Sequence, residues 1–243
     1  MVKGKGSGLV VSPREVLKNA RSAANAGDYQ VALANYERFF DHALQDQGPE
    51  NNFYGVRLSY CLDEWARLGE KYPPARQRLE EKARDALAAF EATRDPERFH
   101  DFQSIRDHLG QSDSVLTQFD AYHRSSPDLA GLALRFMWNR LVEARRWDIC
   151  AGYLADAESK YQTALFKFER SMEVCAEDPS LGGEEFAEQI KGWYVRDVGN
   201  LLSALKNSGR ADEAARLEAI VTADMQSRGH PDLIFRIADR VVL

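Results

Sequence analysis

Apolar residues recur at three- and four-residue steps along nearly the whole chain, and turn-forming residues interrupt them roughly every 15 to 30 positions. Side chains at that spacing share one face of a helix and bury it together. No stretch of alternating Val, Ile and Thr with hairpin turns supports strands. The pattern predicts about eleven helices, near residues 13–26, 29–46, 51–70, 74–92, 96–109, 112–125, 128–144, 147–176, 184–207, 211–227 and 231–242. Ser12-Pro13 reads as an N-cap followed by proline at the first helical position, where a missing N–H costs nothing. Gly27, Gly69, Gly110 and Gly209 follow apolar-periodic segments, as glycine does when a helix stops in a left-handed residue. Asp95-Pro96, Pro127-Asp128 and His230-Pro231 each open a new helix, and Pro179 to Gly183 reads as a linker. The segment 147–176 shows no breaker and predicts one helix of roughly 45 Å.

The segment Ala26-Gly27-Asp28-Tyr29-Gln30-Val31-Ala32-Leu33-Ala34-Asn35-Tyr36 resembles the centre of a tetratricopeptide repeat, where a glycine turn joins two helices and a small residue then an aromatic follow. Setting Gly27, Gly69, Gly110, Arg145 and Gly209 at that turn puts Leu58, Cys61, Leu62 and Trp65 at inward positions of one first helix. Leu134, Met137, Trp138 and Leu141 take them in another, and Val198, Leu201, Leu202 and Leu205 in a third. Two further units match in part, with Val16, Asn19, Ala20, Ala23 and with Phe99, Phe102, Gln103, Arg106. On second helices the small-then-bulky pair reads Ala32 with Tyr36, Val115 with Phe119 and Cys150 with Leu154; Ala214 with Glu218 departs, and Leu217 is its substitute. Turn positions 27, 69, 110, 145 and 209 lie 42, 41, 35 and 64 residues apart, against a family period of about 34, so the array is irregular.

The resemblance implies an all-α fold: a right-handed α-solenoid of antiparallel helical hairpins forming a single domain over 13–243. A flexible tail over 1–12 would precede it. An irregular insertion near 158–183 and a capping helix near 231–242 complete the arrangement. One hairpin of short helices cannot bury both apolar faces, so stacking neighbours would close the core. The family's usual role implies a scaffold or adaptor that binds a protein or peptide partner along a concave groove, without a cofactor and without enzymatic activity.

Composition narrows the partner. Thirty-two Lys and Arg against 38 Asp and Glu give a formal net charge of −6, which argues against a domain that works by neutralising nucleic-acid phosphates. No run approaches the roughly 20 apolar residues of a membrane helix, and the start of the chain lacks a signal-peptide core. Cys61, Cys150 and Cys175 each sit in an apolar helical pattern and read as buried hydrophobes of a reduced compartment. A cytoplasmic protein is expected.

The candidate chemistry is sparse. Gly4-Lys5-Gly6-Ser7-Gly8 lacks the spacing and preceding strand of a phosphate loop. Glu97-Arg98-Phe99-His100 matches one Glu-x-x-His element of di-iron bundles, and Asp120 with His123 gives a weaker copy; such a site needs two full copies and two more glutamates, so no metal is expected. A metal-dependent helical enzyme is the remote alternative, and a ligand-sensing regulatory module the nearer one. Arg135 and Asn139 lie one turn apart, away from the inward positions, and resemble the cation-plus-amide pair with which tetratricopeptide grooves hold a peptide carboxylate. The equivalent pairs are Leu17 and Arg21, Ser59 and Asp63, His100 and Ser104, and Gly199 and Ser203. The expected groove residues are Arg21, Asn25, Asp63, Arg67, His100, His108, Arg135, Asn139, Arg196 and Lys206. Tyr153, Tyr161, Phe166 and Phe168 do not share one narrow stripe, which leaves self-association as a further option.

Overall fold

Ser12 starts the first helix as its sequence directs: its hydroxyl accepts from the backbone N–H of Glu15, and Pro13 takes the first helical position. Helix α1 (Pro13–Ala26) stops at Gly27, whose φ of 84° is open to glycine at little cost. Helix α2 (Tyr29–His42) then folds back on α1. The computed structural model describes residues 12–45, 53–178 and 183–241, and every regular element among them is helical. The expected tail, the phosphate-loop-like glycines and most of the Pro179–Gly183 linker lie outside the described residues.

The described residues form twelve helices rather than eleven. A continuous helix α3 runs through Tyr54–Val56, a π-helical turn Arg57–Cys61 and Leu62–Lys71. It is followed by α4 (Pro73–Thr93), α5 (Pro96–His108), α6 (Ser112–Ser125) and α7 (Pro127–Glu143). Then come α8 (Trp147–Gly152), α9 (Ala157–Glu177), α10 (Gly183–Asn207), α11 (Ala211–Ser227) and α12 (Asp232–Arg240). The extra helix arises because 147–176 is not continuous. The chain leaves the helix at Gly152, and Asp156 caps a new one by accepting from the Ser159 N–H at 2.8 Å. The break frees the Leu154 carbonyl, which accepts from the Arg210 guanidinium.

The chain divides into two compact units between Leu134 and Arg135. In the first, each helix from α1 to α5 packs on the next, and α3 also packs on α5. Its core is aromatic. Trp65 is fully buried, donates its indole N–H to the Ala75 carbonyl at 3.0 Å and meets Phe40 edge-on. Phe90 stacks near Phe99 and Tyr122 with ring centroids 5.3 and 5.7 Å away. Gly69 does not end a helix as expected. It lies inside α3, where a Cβ would come within 2.9 Å of Arg76 Cβ and 3.1 Å of its backbone. Glycine is needed here for the close approach of α4, not for a left-handed turn.

In the second unit α10 is the central element and packs on α8, α9, α11 and α12. Its Val198, Leu201, Leu202 and Leu205 are all buried. From α11 come Ala214, Leu217, Val221 and Met225, and from α12 Leu233 and Ile237. Leu217 is buried where the aromatic position of the pattern departs, as expected. Ala32, Tyr36, Val115, Phe119, Cys150 and Leu154 are likewise buried. Arg145 takes φ of 53°, at the turn position that glycine fills at 27, 110 and 209.

Candidate functional site

Five of the ten expected groove residues line two clefts, one in each unit; Arg196 borders a hollow adjoining the second, and Asp63, His100, His108 and Lys206 line none of these. The first cleft, of about 310 Å³, is bordered by Arg21 and Asn25 of α1, Tyr29 and Tyr36 of α2, and Glu64, Arg67 and Lys71 of α3. Its charges largely satisfy one another. Arg21 grips Glu64 through Nε at 2.9 Å and a terminal nitrogen at 2.8 Å, and the Tyr36 hydroxyl donates to the same carboxylate at 3.4 Å. That carboxylate raises the Arg21 pKa, while burial and then Glu64 push the Tyr36 phenol up. Arg67 pairs with Asp63 one turn earlier on an exposed face.

The second cleft, of about 370 Å³, lies among α7, α9 and α10 and contains Arg135 and Asn139 as the helical spacing predicts. Asn139 is not available in full: its Oδ1 accepts from the buried Asn200 amide at 2.9 Å, which leaves its own N–H groups to donate. The Arg135 guanidinium lies over the Phe136 ring at 4.4 Å. Sequence reasoning missed the other cations of this cleft, Lys160 and Lys167 of α9. Lys160 sits 5.4 Å from the Trp138 ring, which is half-buried rather than in the core as expected. Neither lysine has an ion-pair partner among the described residues. Lys167, Ala164 and Asp197 also border an adjoining hollow of about 250 Å³ that includes Arg196, Ile190 and Trp193. Asp197 is engaged by Arg196 at 3.1 Å.

The remaining expected residues are held elsewhere. His100 meets the Tyr54 hydroxyl through Nδ1 at 2.7 Å, and the same hydroxyl donates to Glu97. The Glu-x-x-His element is therefore tied to a tyrosine. His108 donates from Nδ1 to the Ser104 carbonyl of its own helix at 2.8 Å. Lys206 is paired with Glu218 at 2.7 Å. Four positions assigned to the groove face, Leu17, Ser104, Gly199 and Ser203, are buried instead. At Gly199 the reason is direct: Arg240 of α12 packs where a Cβ would come within 3.2 Å. Leu17 is buried in the hairpin that α1 makes with α2. Among the described residues no three His, Cys, Asp or Glu side chains are placed to hold a metal ion. None of the described helices is long and apolar enough to cross a membrane.

A buried ion pair in the first unit had no sequence signal. Arg57, in the π turn, meets Asp101 of α5 with both terminal nitrogens at 2.5 and 2.8 Å, and both residues are 5% exposed. The Arg57 Nε donates to the Phe40 carbonyl at 2.7 Å, and the guanidinium lies 3.8 Å over the Phe40 ring. All its contacts are internal, and they join α2, α3 and α5.

No protein-family model, curated protein or solved structure is significantly similar to the chain.

Proposed function

We propose that the chain is a protein-interaction module, a right-handed α-solenoid of tetratricopeptide-like hairpins, that holds a segment of a protein partner in the cleft among α7, α9 and α10. The observation that carries this reading is the pairing in one cleft of Arg135 and Asn139 with Lys160 and Lys167, two ammonium groups that no described carboxylate neutralises. The cleft of the first unit supports such a role less well, because Arg21 and Glu64 already bind one another. The mechanism is preorganisation: helices fix the donors before the partner arrives, so little ordering entropy is lost on the module's side. A segment lying there would present carboxylates or backbone carbonyls to these donors and be held by many modest contacts. Three buried free thiols suit a reducing, cytoplasmic setting.

A photocrosslinking amino acid at Thr163, which borders the cleft, tests the proposal in lysate of the native cells. The same group at Thr117, on exposed α6, is the control. A discrete protein adduct at 163 that is absent at 117, and lost with Arg135→Glu, is expected. Identical adducts from both positions, or none from 163, would refute the assignment. Asn139→Ala is a poor probe, since it leaves the buried Asn200 amide without its acceptor.

A further inference from the structure

The cleft among α7, α9 and α10 does not end at Asn139. It runs into the adjoining hollow through Ala164, Lys167 and Asp197, which border both. The two ends differ in chemistry. Arg135 and Lys160 lie at one end, Lys167 at the junction and Arg196 at the other. Asp197 is the single carboxylate of this lining, and it is taken up by Arg196. Lys160 and Lys167 have no carboxylate partner among the described residues, so the lining carries a local excess of positive charge in a chain whose net charge is −6. The far hollow has an apolar floor. Phe168 and Tyr194 are buried with ring centroids 4.7 Å apart, and Trp193 at its rim is 41% exposed. A large indole left that open beside an apolar floor is an unusual surface feature for a residue that mostly buries its ring.

Resting on the reading of this cleft as a peptide site, we infer that its occupant is an acidic peptide segment carrying an aromatic or large aliphatic side chain a few residues from its carboxylates. The carboxylates lie against Arg135, Lys160 and Lys167, and the apolar side chain lies on Trp193. The spacing follows from α9. Lys160 and Ser171 border opposite ends, and eleven residues of helix rise about 16 Å. An extended peptide crosses that distance in about five residues. Nucleic acid fits less well: an acidic chain with a few local cations repels a long polyanion beyond the cleft, whereas a short acidic segment meets only the excess positive charge.

The probe is a fluorescein-labelled peptide Glu-Asp-Glu-Ser-Leu-Trp-Ser, followed by anisotropy with the full chain. Three competitors accompany it: the Gln-Asn-Gln analogue, the analogue with Leu and Trp replaced by Ala, and oligothymidylate. The parent peptide should bind most tightly, and its affinity should fall as salt rises. Lys167→Glu should weaken it about tenfold, and Trp193→Ser should weaken it about tenfold while leaving the alanine analogue unchanged. Lys167 is exposed and unpaired among the described residues, so its replacement leaves the fold intact; a thermal melt of Trp193→Ser checks the other variant. Equal binding of the neutral analogue, tighter binding of oligothymidylate, or indifference to Lys167→Glu would each overturn the inference. If the Thr163 adduct persists in Lys167→Glu, the peptide-site reading stands and only this inference falls. If the Thr163 adduct is absent in the parent chain, the underlying reading falls with it.

Discussion

Removing one member of the Arg57–Asp101 pair should cost the first unit about 3 kcal/mol. Asp101→Ala takes away both oxygens of the fork and leaves a guanidinium that is 5% exposed. Breaking a buried pair typically costs about 3–5 kcal/mol, because the surviving charge has neither water nor partner. Two contacts place the expectation at the lower end. Nε keeps the Phe40 carbonyl, and the Phe40 ring stays beneath the cation. Arg98, 3.5 Å from Asp101 and half exposed, contributes little. Amide hydrogen exchange read over α3 and α5 is the assay, since it reports the unit that carries the pair. At about 1.4 kcal/mol per factor of ten, protection there should fall roughly a hundredfold. The double variant Arg57→Met with Asp101→Leu removes both charges and should recover most of the loss, short of about 1 kcal/mol for the unpaired Phe40 carbonyl. A loss under about 1 kcal/mol for Asp101→Ala would mean that water reaches the pair. A double variant as unstable as the single would mean that shape, not charge, is what the site requires.

Gly69→Ala should destabilise by about 1–3 kcal/mol in urea titration, because the new methyl meets Arg76 at 2.9 Å and the α4 backbone at 3.1 Å; a neutral result would show that α3 and α4 separate freely. Arg145→Gly should raise stability by about 0.5–1 kcal/mol, since Arg145 holds φ of 53° on an exposed turn; a lower melting temperature would contradict this. Tyr161→Phe should cost about 1–2 kcal/mol by removing the hydroxyl that donates to Asp224 at 2.8 Å and accepts from Tyr194 at 3.3 Å. Cys61 and Cys150 should resist iodoacetamide at neutral pH until the chain unfolds. Both are fully buried, and burial pushes the Cys150 thiol up to about 11 and the Cys61 thiol higher still. Prompt labelling of either in the native protein would refute that.

Helical periodicity made most elements legible before any coordinate. Val198, Leu201, Leu202 and Leu205 are buried together because a three-one-three spacing has only one shared face on a helix, whatever packs against it. Left-handed stops at Gly27, Gly110 and Gly209, and at Arg145 in the same position, follow from local backbone sterics. The split of 147–176 was hidden because the apolar rhythm survives it. Only the Asp156 cap and the Leu154 carbonyl bound by Arg210 show the break.

Candidate-site residues were less legible. Arg135 and Asn139 share a cleft because both lie on one helix, so spacing alone places them on neighbouring turns. Lys160 and Lys167 joined them from α9, and Arg57 found Asp101 forty-four residues away. Local patterning therefore determined which side of each helix is apolar, where most helices stop and which side chains share a turn. Only the tertiary structure decided which of the polar faces are covered, as Arg240 covers Gly199, and which charges meet. A helix carries its periodicity in its own backbone geometry, whereas ion pairs between helices depend on register and distance that no local spacing encodes.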